Sequence, residues 1–417
     1  MVKKIIRYMW ILLIVIVMTG CGKSEKTEED KKVLTFSWWG DEEVHHSTLE
    51  AIKIYEQLNP TIEIRADYQD EQGYFQKIVT QMANGNLPDI FQYKCGWYGQ
   101  SVAGAIDEPC DLNALDIDFA GTEEWLEQCS TQDGKVIIYP IAIDCNVLIA
   151  NQDFLNKYDL KAEELRTWSD ILQRGEEIRN MDGNSYLLQM SVDDMNEVFL
   201  PLYLKQLTGK EVFAERGDFN FESGQLAQAL EVIDKMYKSN LIPRMNADTM
   251  VSGNADQRRW ERGKIGIKID TLNGYLNQTE KSDIPIMLLP MPQIEDKETS
   301  SEFEVQYGYG ISSNTKYPKE SADFVQWLAS STEAYEEIKW SRGVPANQNI
   351  RKNLEENEIL HMYNINAQKN TENDKDYSTG HEELTDLQKR VLIRMLNGEI
   401  DSKEAAWQMM TEITKIW

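Results

Sequence analysis

The chain's first clear pattern is a compact apolar run at 33–37, Val-Leu-Thr-Phe-Ser, closed by Gly40. Its apolar, β-forming residues predict a short buried strand. Asp41 then offers an N-cap, and Glu42 and Glu43 an acidic first turn. Val44, Thr48, Ile52 and Tyr55 recur at helical spacing until Asn59-Pro60 ends the run. Strand, tight turn and helix make the first half of a βαβ unit, where ligands sit at the carboxyl ends of the strands. Trp38 and Trp39 stand at that end. Neighbouring side chains on a strand point opposite ways, so one ring is expected in the core and one toward a ligand.

The pattern repeats. Residues 61–66 alternate as a half-buried strand, with Tyr68 and Asp70 at its end. A helix is predicted over 74–82, and 89–93 reads as a third strand whose tail carries Tyr93 and Trp97. Each ring alone is ordinary packing. Aromatics at three successive strand ends point to an aromatic-lined cleft, because packing does not require them at every end. Further on, 134–143 is a β-rich run interrupted by Pro140, which suits an edge strand or crossover. Asp144 then breaks the apolar run between Ile143 and Val147, either capped by backbone N–H groups or accepting ligand hydroxyls.

Strands are expected at 147–150, 263–270, 286–289 and 305–311, and helices at 167–179, 198–207, 225–237 and 321–328. Asp270 and Asn273 close the strand 263–270, and glycines flank Tyr307 and Tyr309. Asp193, Asn196 and Glu197 lie in a polar stretch that is a ligand-contacting or a solvated loop. From 354 the chain reads as helical, broken by a polar loop at 370–380.

The amino terminus changes the picture of where this happens. Lys3, Lys4 and Arg7 precede an apolar run at 9–18, long enough for a signal peptide and too short to cross a bilayer. Met18-Thr19-Gly20-Cys21 follows directly and resembles a bacterial lipobox, in which Cys21 becomes the lipidated first residue. Residues 1–20 are then a signal peptide and 21–32 a charged, flexible tether; acyl chains on one residue anchor without a transmembrane helix.

With 417 residues the chain can build two lobes, and its net charge of −27 argues against nucleic acid and anionic substrates. Cys95, Cys110, Cys129 and Cys145 allow three pairings, and bridges and buried thiols stay equally open. No CxxC or metal-ligand spacing occurs. His381-Glu382-Glu383-Leu384-Thr385 has Thr where a zinc helix needs its second His, and Gly308-Tyr309-Gly310 lacks the third Gly of a dinucleotide turn. His45, His46, His361 and His381 are scattered, and no feature selects a carboxylate pair for glycoside hydrolysis.

Six stretches carry a family resemblance: 33–40, the NLPDIFQY run at 86–93, 134–151, the Thr167-Trp168 helix start at 166–172, the Gly-Lys strand at 261–274 and the helix start at 398–407. In order and spacing they resemble the extracellular solute-binding lipoproteins of sugar ABC transporters, the group that includes maltose-binding protein. The resemblance implies an α/β, two-lobed periplasmic-binding-protein fold of type II, with three inter-lobe crossings and a ligand cleft between the lobes. It implies lobe one at 33–143 plus 306–340 and lobe two at 144–305 plus 341–417. It further implies a non-catalytic receptor, without cofactor or metal, that captures a sugar or oligosaccharide and delivers it to membrane permease subunits. The protein would be a monomer on the extracellular face of the membrane, anchored through Cys21.

Ligand contacts expected on this basis are Trp38, Trp39, Asp41, Tyr93, Trp97, Asp144, Asn196, Asp270, Asn273, Tyr307, Tyr309 and Arg342. Trp39 and Asp144 carry the most weight, and the resemblance favours a ligand role for Asp144. Sugar-binding relatives often have Trp near Asn273; its absence here speaks against a maltodextrin preference. Two other readings stay open: a carbohydrate-active enzyme on a similar scaffold, and the same fold binding a polyamine or other small solute.

Overall fold

The computed structural model describes residues 31–102, 104–210, 212, 219–244, 254–295, 297, 303–352 and 381–416. Residues 1–30, which include the expected signal peptide, Cys21 and most of the expected tether, and the stretch 353–380 with His361 lie outside the described residues.

Strand β1 (Lys32–Trp39) leads into helix α1 (Glu42–Leu58), β2 (Ile62–Gln69), helix α2 (Tyr74–Asn84) and β3 (Ile90–Tyr93). β1 runs parallel to β2 and β3 and lies between them. Both its faces are covered, which is why its apolar run is continuous. Leu34, Phe36 and Trp38 enter a core with Ala51, Ile52 and Tyr55 of α1. Trp39 turns the other way, into a cluster with Tyr74, Ile78 and Tyr93. α1 starts at Asp41 because that side chain accepts the Val44 N–H at 3.0 Å. A Cβ on Gly40 would stand 2.3 Å from Val44 Cγ1, so only glycine lets the strand turn this sharply into the helix.

The chain leaves this lobe from β4 (Tyr139–Asp144), passes Cys145 and enters β5 (Asn146–Asn151). There it builds a second sheet with β6 (Tyr186–Gln189), β7 (Ile265–Thr271) and β8 (Ile286–Leu289), in the order β8–β5–β7–β6. It returns through β9 (Glu304–Ile311), antiparallel to both β3 and β4. β10 (Val344–Pro345) then pairs with β4 and completes a six-stranded first sheet, β10–β4–β9–β3–β1–β2. Residues from 341 onward were expected in lobe two. Val344 and Pro345 instead pair with Ile143 and Ala142 of β4 in the first sheet.

Lobe two has its own core. Helices Ser223–Lys238, His381–Leu396 and Ser402–Ile416 pack together there, contributing Leu230, Ile233, Leu392 and Met409. The stretch expected as a polar loop at 191–197 winds instead: a π-helical turn, Asp194–Phe199, runs directly into the helix Leu200–Thr208. The reason is local. The Asp194 carboxylate accepts the Ser191 N–H and hydroxyl, both at 2.7 Å, and holds the turn closed. Cys110 and Cys145 are free thiols, and burial pushes the Cys110 thiol up to about 12.

Candidate functional site

The carboxyl ends of β1, β2 and β3 meet β9 and the segment 340–343 around a groove of about 380 Å³, within the size range of small-ligand sites. Trp39, Gly40, Val44 and Tyr307 form its apolar wall. Asp41, Asp70, Glu71, Gln92 and Arg342 supply its polar groups. Asp41, Asp70 and Glu71 are exposed at the rim; Gln92 and Arg342 are buried at the floor.

The rings form one continuous patch. Trp39 is 5.3 Å from both Trp97 and Tyr307 and 5.0 Å from Tyr74, centre to centre. The Lys94 ammonium lies 5.5 Å from the Trp39 ring centre and 5.6 Å from that of Trp97, and reaches Glu71 Oε1 at 3.1 Å. The Tyr307 hydroxyl donates to the Arg342 carbonyl at 2.6 Å. Burial raises the pKa of that hydroxyl, so it stays a neutral donor at physiological pH.

Arg342 is the unusual member. It is 5% exposed. Its Nη1 donates to Gln92 Oε1 at 2.9 Å and its Nη2 to Thr48 Oγ1 at 2.8 Å. The guanidinium carbon sits 5.7 Å from the Tyr309 ring centre, and Nε has no hydrogen-bond partner. Among the described residues no carboxylate forms an ion pair with it. Burial first, and the Arg342 charge second, lower the pKa of nearby His45.

Several residues expected at the ligand sit elsewhere. Trp38 is fully buried: it stacks on Tyr68 at 5.0 Å, and its Nε1 donates to His45 Nδ1 at 3.2 Å. Tyr93 is likewise fully buried, its hydroxyl bonded to Ser101, because all four residues of β3 are enclosed. Tyr309 lies beneath Arg342, in edge contact with Phe36 at 5.2 Å. These three rings are core, and strand ends buried on both faces explain why. Trp97 backs Trp39 rather than lining the groove itself.

The acids and amides divide similarly. Asp144 is 3% exposed, and its Oδ1 accepts the N–H groups of Cys145 at 2.9 Å and Asn273 at 3.1 Å. Burial raises its pKa to about 6 despite those donors. Of the two roles left open for it, the geometry displays backbone capping. Asn273 Oδ1 accepts the Val344 N–H at 3.0 Å, so it ties the helix that follows β7 to strand β10. Gly343 adopts φ +92°, and a Cβ there would stand 2.4 Å from the Asn273 amide, so this knot also requires glycine. Asp270 pairs with Lys268 at 3.1 Å and accepts from Gln278 at 2.8 Å. Asn196 is buried in the π-helical turn, while its neighbours Asp193 and Glu197 both pair with Lys389 at 2.8 Å. The groove thus gathers Trp39, Asp41, Tyr307 and Arg342 from the expected set.

It also recruits Gly40, Val44, Asp70, Glu71 and Gln92, which were not among the expected contacts. Asp70 and Glu71 were legible by the same strand-end rule that selected the rings. Gln92 had a signal too: an amide inside an otherwise apolar strand needs a buried partner. Among the described residues, no three His, Cys, Asp or Glu side chains converge as a metal site.

The sequence model of the bacterial extracellular solute-binding proteins matches residues 50–361. The maltodextrin-binding protein MdxE of Bacillus subtilis is 23% identical over 346 residues, 81% of this chain and 79% of that one. A periplasmic solute-binding protein of Pectobacterium atrosepticum superposes with a TM-score of 0.79 at 21% identity, covering 92% of this chain and 98% of that one. A periplasmic oligogalacturonide-binding protein of Yersinia enterocolitica, solved with saturated digalacturonic acid, gives 0.73 at 20% identity with the same coverage. A Listeria monocytogenes substrate-binding protein in complex with cycloalternan gives 0.74 at 17%, covering 93% and 99%. The family binds solutes and does not transform them, and these relatives share the two-lobed α/β fold built here from two sheets. The chain belongs to the bacterial extracellular solute-binding proteins.

Proposed function

We propose that this protein captures a sugar or oligosaccharide in the groove at the strand ends of lobe one and delivers it to the permease of an ABC transporter. The observation that carries the reading is the pairing of an aromatic wall, Trp39 and Tyr307, with the rim carboxylates Asp41 and Asp70 in one groove of about 380 Å³. Rings cover the apolar faces of a pyranose, and carboxylates accept its hydroxyls. Closure of the second lobe over the first would bury the ligand and present a permease with a changed shape. The ligands named for the relatives are saccharides, which agrees. The anchor on Cys21 completes the proposal and places the protein at the outer face of the membrane.

A thermal-shift panel of neutral oligosaccharides, acidic oligosaccharides and polyamines tests it, followed by calorimetry on each hit. Saturable binding of a saccharide without turnover is the expected result. A polyamine binding more tightly than every saccharide would replace the reading, since three rim carboxylates also suit a cation.

A further inference from the structure

Arg342 carries a buried charge that, among the described residues, no carboxylate pairs with; the groove's acids, Asp41, Asp70 and Glu71, stand at its rim. Removing a guanidinium from water costs several kcal/mol unless charge and hydrogen bonds replace the water. Arg342 is 5% exposed, and its two side-chain hydrogen bonds go to neutral oxygens, Gln92 Oε1 and Thr48 Oγ1. The Tyr309 ring beneath it returns part of the cost, as a cation over an aromatic face. A purely structural arginine at this place would be expected to have a carboxylate. Nine residues further on, Arg351 is just as buried and does have one, Glu123 Oε2 at 2.7 Å. The difference between the two is position: Arg342 lines the groove and Arg351 does not.

We propose that the missing counter-charge arrives with the ligand: the groove takes a saccharide bearing a carboxylate, a uronic acid, whose acid group sits at Arg342. The inference rests on the saccharide reading above and narrows it. The planar guanidinium is suited to a carboxylate, and the fork is already held in place by Gln92 and Thr48. Rim and floor then divide the work. Asp41 and Asp70 at the rim accept hydroxyls, while Glu71 is already engaged by Lys94. A hydroxyl-rich acid satisfies both sets, whereas a bare carboxylate would meet only repulsion at the rim.

The net charge of −27, which argued against anionic substrates from the sequence, acts mainly at long range. Charges beyond about 8 Å are screened at physiological ionic strength, so the chain's overall charge slows arrival more than it decides what fits. Within the groove the buried guanidinium is screened least.

The test compares galacturonate and glucuronate di- and trisaccharides with the same sugars after each carboxylate is reduced to a primary alcohol. Calorimetry on the wild-type protein is expected to show the acid form binding roughly ten- to hundredfold more tightly. In Arg342→Gln that preference is expected to vanish, and in Arg342→Lys to survive in part, since lysine keeps the charge and loses the fork. Should Arg342→Gln fail to fold, the wild-type preference and the lysine variant decide. A reduced form that binds as tightly as the acid overturns the inference and leaves the saccharide reading standing. Absence of binding by every saccharide, neutral or acidic, removes both.

Discussion

Two buried arginines nine positions apart are treated in opposite ways. Arg351 donates from Nη1 to the carbonyls of Pro345 at 2.7 Å and Ala346 at 2.5 Å, and from Nη2 to Glu123. The side chains of that pair are only 4% and 9% exposed. Arg342, on the groove, receives a glutamine, a threonine and a tyrosine face. The fold can thus pair a carboxylate with a buried guanidinium, and among the described residues it does not pair one with Arg342, although acids stand at the groove's rim. On the proposal above, the paired arginine belongs to the scaffold and the unpaired one on the groove awaits the ligand's carboxylate.

The contrast breaks first at Arg351. Glu123→Ala would leave that guanidinium buried without its counter-charge, at an expected cost of about 3–5 kcal/mol in stability. Urea unfolding measures the loss, and ligand affinity of the protein that stays folded should not change. A loss within experimental error would mean that Glu123 does little for Arg351, and the distinction between the two arginines would lose its basis.

Asp144 is a second buried charge that forms no ion pair among the described residues; it ends β4, just before β5, and is held by backbone donors. Its folded pKa of about 6 exceeds the ordinary 3.8 because burial outweighs those hydrogen bonds. The folded state therefore binds the proton more tightly than the unfolded one. Stability contributed by this group falls as pH rises from about 4 to 6, by roughly 2–3 kcal/mol in total. Asp144→Asn removes the titration and keeps an oxygen acceptor. Melting both proteins from pH 4 to pH 7 should show the variant gaining on wild type across that window. A constant difference would mean that the ionised carboxylate is well solvated, and that buried charge without counter-charge is cheap in this protein.

Much of the first lobe was legible because its causes are local. The run 33–37, the Asp41 cap and the apolar period of α1 lie within one stretch of chain, and β1, α1, β2 and α2 formed close to where the pattern put them. The two faces of Trp38 and Trp39 followed from strand geometry, and the structure places one ring in the core and the other on the groove. Tyr93 misled for the same reason the rule worked elsewhere: a four-residue strand covered on both sides has no ligand face. Asp144 and Asn273 read as contacts, yet each is bound to backbone brought from far along the chain, 129 positions away in one case and 71 in the other. No local pattern announces such a partner. Arg342 could be placed at a crossing, but a missing counter-charge is visible only when every neighbour is known. The wound turn at 194–199 escaped because its polar residues resemble a loop until Ser191 and Asp194 are seen to close it.

The smallest expected change in stability gives the sharpest test of the contrast. Gln92 Oε1 already accepts from Arg342 at 2.9 Å, so Gln92→Glu alters charge with little change of shape. It gives Arg342 what Glu123 gives Arg351. Stability should stay within about 1 kcal/mol of wild type, because burying a second ion offsets most of the new attraction. The ligand's carboxylate would now compete with an internal one and meet its repulsion, so preference for the acid over the reduced saccharide should fall about tenfold. Affinity for the reduced form, which never used the charge, should hold. If the acid preference persists in Gln92→Glu, the guanidinium is not where the ligand's carboxylate rests, and Arg342 belongs with Arg351 as part of the scaffold.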